Sequence, residues 1–164
     1  MRSGYWVVAI FAAAWAGAGL MVSGYPMAMI AIPVIISAGL LAWAYAMPAT
    51  AETMGPRVRA IVARWSMVEG GAIVVVANIL PRIHHADALF PAVAIIVGLH
   101  FLPLARAIPV PIYAATGFAL ILAGAGGILL PAAERPIAIG LAAAIILWAT
   151  ALHRLLAARR AAAA

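Results

Sequence analysis

The chain has no cysteine and no lysine, and charged residues make up only 9% of its 164 residues. Without cysteine there are no disulfides, no thiolate metal sites and no thiol nucleophile. So little charge excludes a soluble domain, in which about a quarter of residues are charged and about half are apolar. Disorder is excluded too, because disordered chains are charge-rich and poor in large apolar residues. Acids are scarcer than bases: Glu52, Glu69, Asp87 and Glu134 stand against ten arginines, for a formal net charge of +6. Those arginines are scattered between apolar runs with no basic stripe to follow a phosphate backbone, so the charge does not point to nucleic acid. What the chain has in abundance is apolar surface, 68% of residues with a mean hydropathy of +1.17. These numbers describe a polytopic membrane protein whose partners are membrane lipids.

Six apolar runs are candidates for spans: Tyr5–Val22, Pro26–Met47, Trp65–Leu80, Ala88–Ala105, Ile108–Leu130 and Pro136–Leu152. A spanning helix needs about 20 residues, within a range of about 17 to 25. Five runs satisfy this as they stand; the third, which carries Glu69 and Asn78, must borrow from its arginine-bearing lead-in. Continuous runs indicate helices, because barrel strands alternate every second residue. The expected architecture is an all-α bundle of six spans in which residues 1–164 form a single transmembrane domain.

With six spans and both ends cytoplasmic, Arg2, Arg57, Arg59, Arg64, Arg106, Arg154, Arg159 and Arg160 fall inside, and only Arg82 and Arg135 outside. That asymmetry obeys the positive-inside rule. Arg2 and the small residues Ala16-Gly17-Ala18 would also suit a signal peptide, but Tyr5, Trp6 and Trp15 sit where a retained helix places its aromatic anchors. The alanine-rich, lysine-free composition looks like that of a GC-rich bacterial genome, which places the expected chain in a bacterial cytoplasmic membrane. Val58, Ile61, Val62 and Trp65 form one apolar stripe ahead of the third run, read either as an interfacial amphipathic helix or as a straight extension of the span with snorkelling arginines. Three spans per half is the condition for an inverted repeat, and Pro26 to Gly39 matches Pro111 to Gly124 in spacing.

Glu69 is the residue that most needs a reason, because a carboxylate inside a span costs roughly 3 kcal/mol on insertion scales. His100 lies in the fourth span at a similar depth, and short-looped spans are antiparallel neighbours. A titratable Glu69/His100 pair near the cytoplasmic side is therefore expected, with Arg64, Arg106 and Asn78 as further candidates along a path. The bland reading is a pair that only locks two helices. Ser37, Asn78, Thr116 and Thr150 are expected to bond across helices or to their own backbone. In the outer loop, His84, His85 and Asp87 are weak metal ligands, since a site wants three or four converging donors, and Asp87 suits the N-cap of the fourth span. Glu52 and Glu134 are loop acids without a partner acid. No cofactor, metal or catalytic residue is assigned.

The stretch Gly98-Leu99-His100-Phe101-Leu102-Pro103-Leu104-Ala105-Arg106, followed by Pro111-Ile112-Tyr113 and Thr116-Gly117, resembles small uncharacterised six-helix integral membrane proteins of bacteria. The resemblance covers the fourth and fifth spans; it implies that His100 belongs to a recurrent pattern and implies no activity.

The function expected from these residues is a narrow carrier or channel for a small solute or ion. The alternatives are a membrane scaffold or accessory subunit, and an intramembrane lipid-processing enzyme that would use His100 as acid or base and Arg64 or Arg106 as headgroup anchor. Gly117, Gly124 and Gly127 line one strip of the fifth span, and Ala13 and Gly17 do the same in the first. In lipid such strips let helices approach closely, so a homo-oligomer built on one of them is expected.

Overall fold

A computed structural model describes residues 3–47, 55–108 and 110–163, and among them there are helices and no strand. The six helices are α1 (Ser3–Val22), α2 (Ala31–Ala46), α3 (Pro56–Arg82), α4 (Leu89–Ala107), α5 (Ile112–Gly127) and α6 (Arg135–Ala163), with short 3-10 turns at Met27–Ile30 and Ala86–Ala88. Five of them are long and apolar enough to cross a membrane, α2 by including its 3-10 lead-in. Apolar runs become helices here because lipid offers the backbone no hydrogen-bond partner, so each segment must satisfy its own. Arg2 and Glu52 lie outside the described residues.

Three boundaries differ from the apolar runs. α3 begins at Pro56 rather than Trp65 and runs unbroken for 27 residues, so the amphipathic lead-in is a straight extension of the span, opened by a proline at its first turn. α6 runs for 29 residues, well past Leu152. The fifth helix is shorter than its run, 16 residues instead of Ile108–Leu130, or about 24 Å at a rise of about 1.5 Å per residue. Ile108 is extended, with φ −114° and ψ 126°, as the residue before a proline must be. At the other end Ile128, Leu129 and Leu130 donate to carbonyls three residues back, which winds the chain out of the α-helix.

α1 and α3 end in the same way. Gly24 has φ +76° and His84 φ +62°. The amides of Tyr25 and His85 reach back to the Leu20 and Leu80 carbonyls at 3.0 and 2.8 Å, the closing bond of a Schellman cap. Asp87 does not cap α4 as expected. It lies inside the 3-10 turn, the N-cap position belongs to Ala88, and no side chain bonds there. Its carboxylate is drawn instead into an ion pair with Arg135 at the start of α6. The same guanidinium donates to the carbonyls of Leu130 at 3.0 Å and Ile128 at 2.9 Å, so one arginine ties the end of α5 to the beginnings of α4 and α6.

Packing joins α4 to α5 and α1 to α6 most closely, with α6 also on α5 and α2 on α1. Glycine makes both main seams. A Cβ on Gly98 would stand 2.7 Å from the Gly117 carbonyl oxygen, and one on Gly140 would stand 2.9 Å from Gly19 Cα. Dispersion and close backbone approach hold such seams, because lipid supplies no hydrophobic drive between helices. Polar pins add to them: Ser37 donates to the Ala9 carbonyl at 2.8 Å and receives the Trp148 indole N–H at 2.9 Å, joining α2 to α1 and α6. The Thr116 and Thr150 hydroxyls meet at 2.7 Å between α5 and α6. The glycine strip of the fifth span is used inside the chain: Gly117 and Gly124 lie against α4, and Gly127 against Ile139. It is not a free surface for a second copy. The two halves also differ in packing, since α5 lies on α6 whereas α2 does not touch α3. α3 rests on α4 alone among the helices and has no buried residue.

Candidate functional site

Because α4 is the one helix whose backbone lies close to α3, α3 stands away from α1, and no Cα of one comes within 8 Å of a Cα of the other. Between them lies a cleft of about 510 Å³. Trp6, Val7 and Phe11 form its α1 wall, and Val62, Ser66, Glu69, Gly70 and Ile73 its α3 wall. The latter spacing, with steps of three or four residues plus the adjacent Gly70, is one face of a helix. α4 floors the cleft with Val97, His100, Phe101 and Leu104, and Tyr113 and Leu147 close its depth. These residues run from the end of the bundle that holds the N-terminal end of α1 and the C-terminal ends of α4 and α6 to its middle, which Ile73, Val97 and Leu147 reach. Walls that are almost wholly apolar, with a few polar groups converging at one point, are the usual form of a small-molecule site, and its volume falls within the usual range of about 300–1,000 Å³.

Glu69 and His100 meet in this cleft, with His100 Nδ1 3.5 Å from Glu69 Oε2 and side-chain exposures of 9% and 14%. Depth matching across two adjacent antiparallel helices predicted the encounter. The two groups are close without being bonded: His100 Nδ1 is buried and has no hydrogen-bond partner. Phe101 packs edge-on to the imidazole, 6.1 Å between centroids, and edge-on to Tyr113 at 5.7 Å, so aromatic contacts fix the floor.

The other path candidates lie elsewhere. Arg64 and Arg106 are exposed and do not line the cleft. Asn78 is exposed and donates to the Val74 carbonyl of its own helix at 2.8 Å, the own-backbone bond that a polar side chain in a span adopts when no neighbour is available. His84 and His85 serve α3 through their backbone as its cap, while Asp87 is paired with Arg135. Among the described residues no group of three or more potential metal ligands forms.

Arg154 is the residue that reading the sequence for chemistry passed over. It entered only as a topology charge, yet it donates to the Tyr113 hydroxyl at 2.7 Å. Its guanidinium lies 4.5 Å from the Tyr5 ring centroid and 5.3 Å from that of Tyr113. This cluster of α1, α5 and α6 stands directly behind the deep wall of the cleft. Tyr5 and Tyr113 are both tyrosines near helix starts, but nothing local connects residues 41 and 149 positions away from Arg154. Comparison of the chain with protein-family models, with curated proteins and with solved structures returns no match.

Proposed function

We propose that the protein is a small membrane carrier that takes a small, largely apolar solute into the cleft between α1 and α3, with its polar group against Glu69 and His100. The observation that carries this reading is the cleft itself: about 510 Å³, apolar-walled, and lying between two helices whose Cα atoms stay more than 8 Å apart. Such an opening admits a solute sideways from the lipid. The lining residues run from one end of the bundle only to its middle, which suits a bound state better than an open pore. The arginine asymmetry supports reading that end as the cytoplasmic one. The lipid-processing alternative needs a headgroup anchor, and Arg64 and Arg106 stand outside the lining. A purely structural role for the polar pair leaves the cleft beside it unexplained.

Gly70 supplies the test. It lines the cleft, and a Cβ there would meet nothing within 4 Å, so a side chain can leave the backbone at this point without a clash, and Gly70→Phe is placed to fill the space. Equilibrium dialysis of 1-naphthylmethanol against the protein in lipid nanodiscs should show a saturable component absent from empty discs and lost in Gly70→Phe. Binding that is unsaturable, or unchanged in Gly70→Phe, would overturn the proposal.

A further inference from the structure

Resting on the proposed cleft, we infer that its solute carries a protonated amine, held by Glu69 and His100 together. The argument starts from what the two groups lack. His100 Nδ1 is buried and, among the described residues, has no hydrogen-bond partner. In the neutral tautomer that carries its proton on Nε2, Nδ1 is a lone-pair acceptor. It lies 3.5 Å from a Glu69 oxygen, which in the ionised carboxylate is also an acceptor, and two acceptors cannot satisfy each other. A group with at least two N–H donors, placed at the mouth of the pair, bonds to both.

Charge narrows the choice. An ionised Glu69 sits in an apolar wall, where an uncompensated charge is costly. Among the described residues its one ion-pair contact is His100, which is neutral in the tautomer above. Arg64 and Arg106 are outside the cleft, and Arg154 is committed to Tyr113 and Tyr5. A cation brought by the solute supplies the missing compensation; an alcohol supplies one donor and no charge, and a carboxylate is repelled. The rings of Trp6, Phe11, Phe101 and Tyr113 face the same space and offer cation–π attraction to an ammonium. They also pack against an apolar remainder.

Three probes with one ring and different heads separate these possibilities: 1-naphthylmethylamine, 1-naphthylmethanol and 1-naphthoate, dialysed at neutral pH against the full chain in nanodiscs. The amine should bind at least tenfold more tightly than the alcohol, and the naphthoate more weakly than either. Glu69→Gln should bring the amine down to the level of the alcohol, with its helical circular dichroism and its unfolding temperature in detergent showing that the variant is folded. Equal binding of amine and alcohol by the wild type, or an amine preference that survives Glu69→Gln, overturns the inference while the cleft reading stands. If no probe shows binding that Gly70→Phe removes, the cleft reading itself has failed and takes the inference with it. Should Glu69→Gln not fold, the head series on the wild type alone decides.

Discussion

His84 occupies a backbone position that glycine holds at the corresponding point of α1. A side chain in the left-handed region costs roughly 1–2 kcal/mol, and glycine returns part of that gain through the greater freedom of the unfolded chain. His84→Gly should therefore raise stability by about 0.5–1 kcal/mol, read as a higher unfolding temperature in detergent; a lower one would mean that the imidazole does more than end a helix. Ser37 makes the opposite case. It receives the Trp148 N–H and donates to Ala9, so Ser37→Ala strands a half-buried indole donor and should cost about 1–2 kcal/mol. The threonine pair is cheaper to break. Each hydroxyl has one proton, and three contacts are drawn on two of them: the bond between the threonines and those to the Ile112 and Ile146 carbonyls. Thr116→Val leaves Thr150 its backbone bond and should cost only about 0.6 kcal/mol, the mean for such bonds in membranes.

At the level of helices, glycines of one composition divide into two kinds. Gly98→Ala drives a methyl to 2.7 Å from the Gly117 carbonyl oxygen, so α4 and α5 must part, at a cost of about 1–3 kcal/mol. Gly39 and Gly71 would meet nothing within 4 Å. Alanine at either should stabilise by about 0.5–1 kcal/mol, the ordinary gain of removing a mid-helix glycine. Unfolding free energies for the three variants check the contrast, and equal effects would show that the seam is looser than described. The positions of the six helices were legible in the sequence because hydropathy is a local property, averaged over one turn after another. Which helix faces which was not. α1 and α5 are apolar all round, so no stripe marks the side that meets α6 or α4, and the strip of Gly117, Gly124 and Gly127 reads the same whether it serves a neighbour in the chain or another copy. Glu69 and His100 could be paired because a short loop and equal depth constrain them. Asp87 with Arg135, and Arg154 with Tyr5, are joined by topology alone.

Across the whole molecule the weakest attachment is that of α3, whose backbone lies close to that of α4 and not to that of α1. The absence of native cysteine lets spin labels be placed in pairs without background. Labels at Ile10 and Met67, both exposed, should give a broader α1–α3 distance distribution than labels at Leu99 and Phe118, also exposed, give between α4 and α5. Equal widths would show that the cleft wall is as rigid as the core. The seam between α1 and α6 has a different consequence, which belongs to the making of the protein. Gly19 of α1 meets Gly140 of α6, so a segment that enters the membrane early has to wait for one made much later. At ~5–20 residues per second, the ~120 residues between them take roughly 6–24 s to synthesise. Throughout that interval the alanine and glycine face of α1 has only lipid, the insertion machinery or the intervening helices for company, and the seam closes only once α6 has been made.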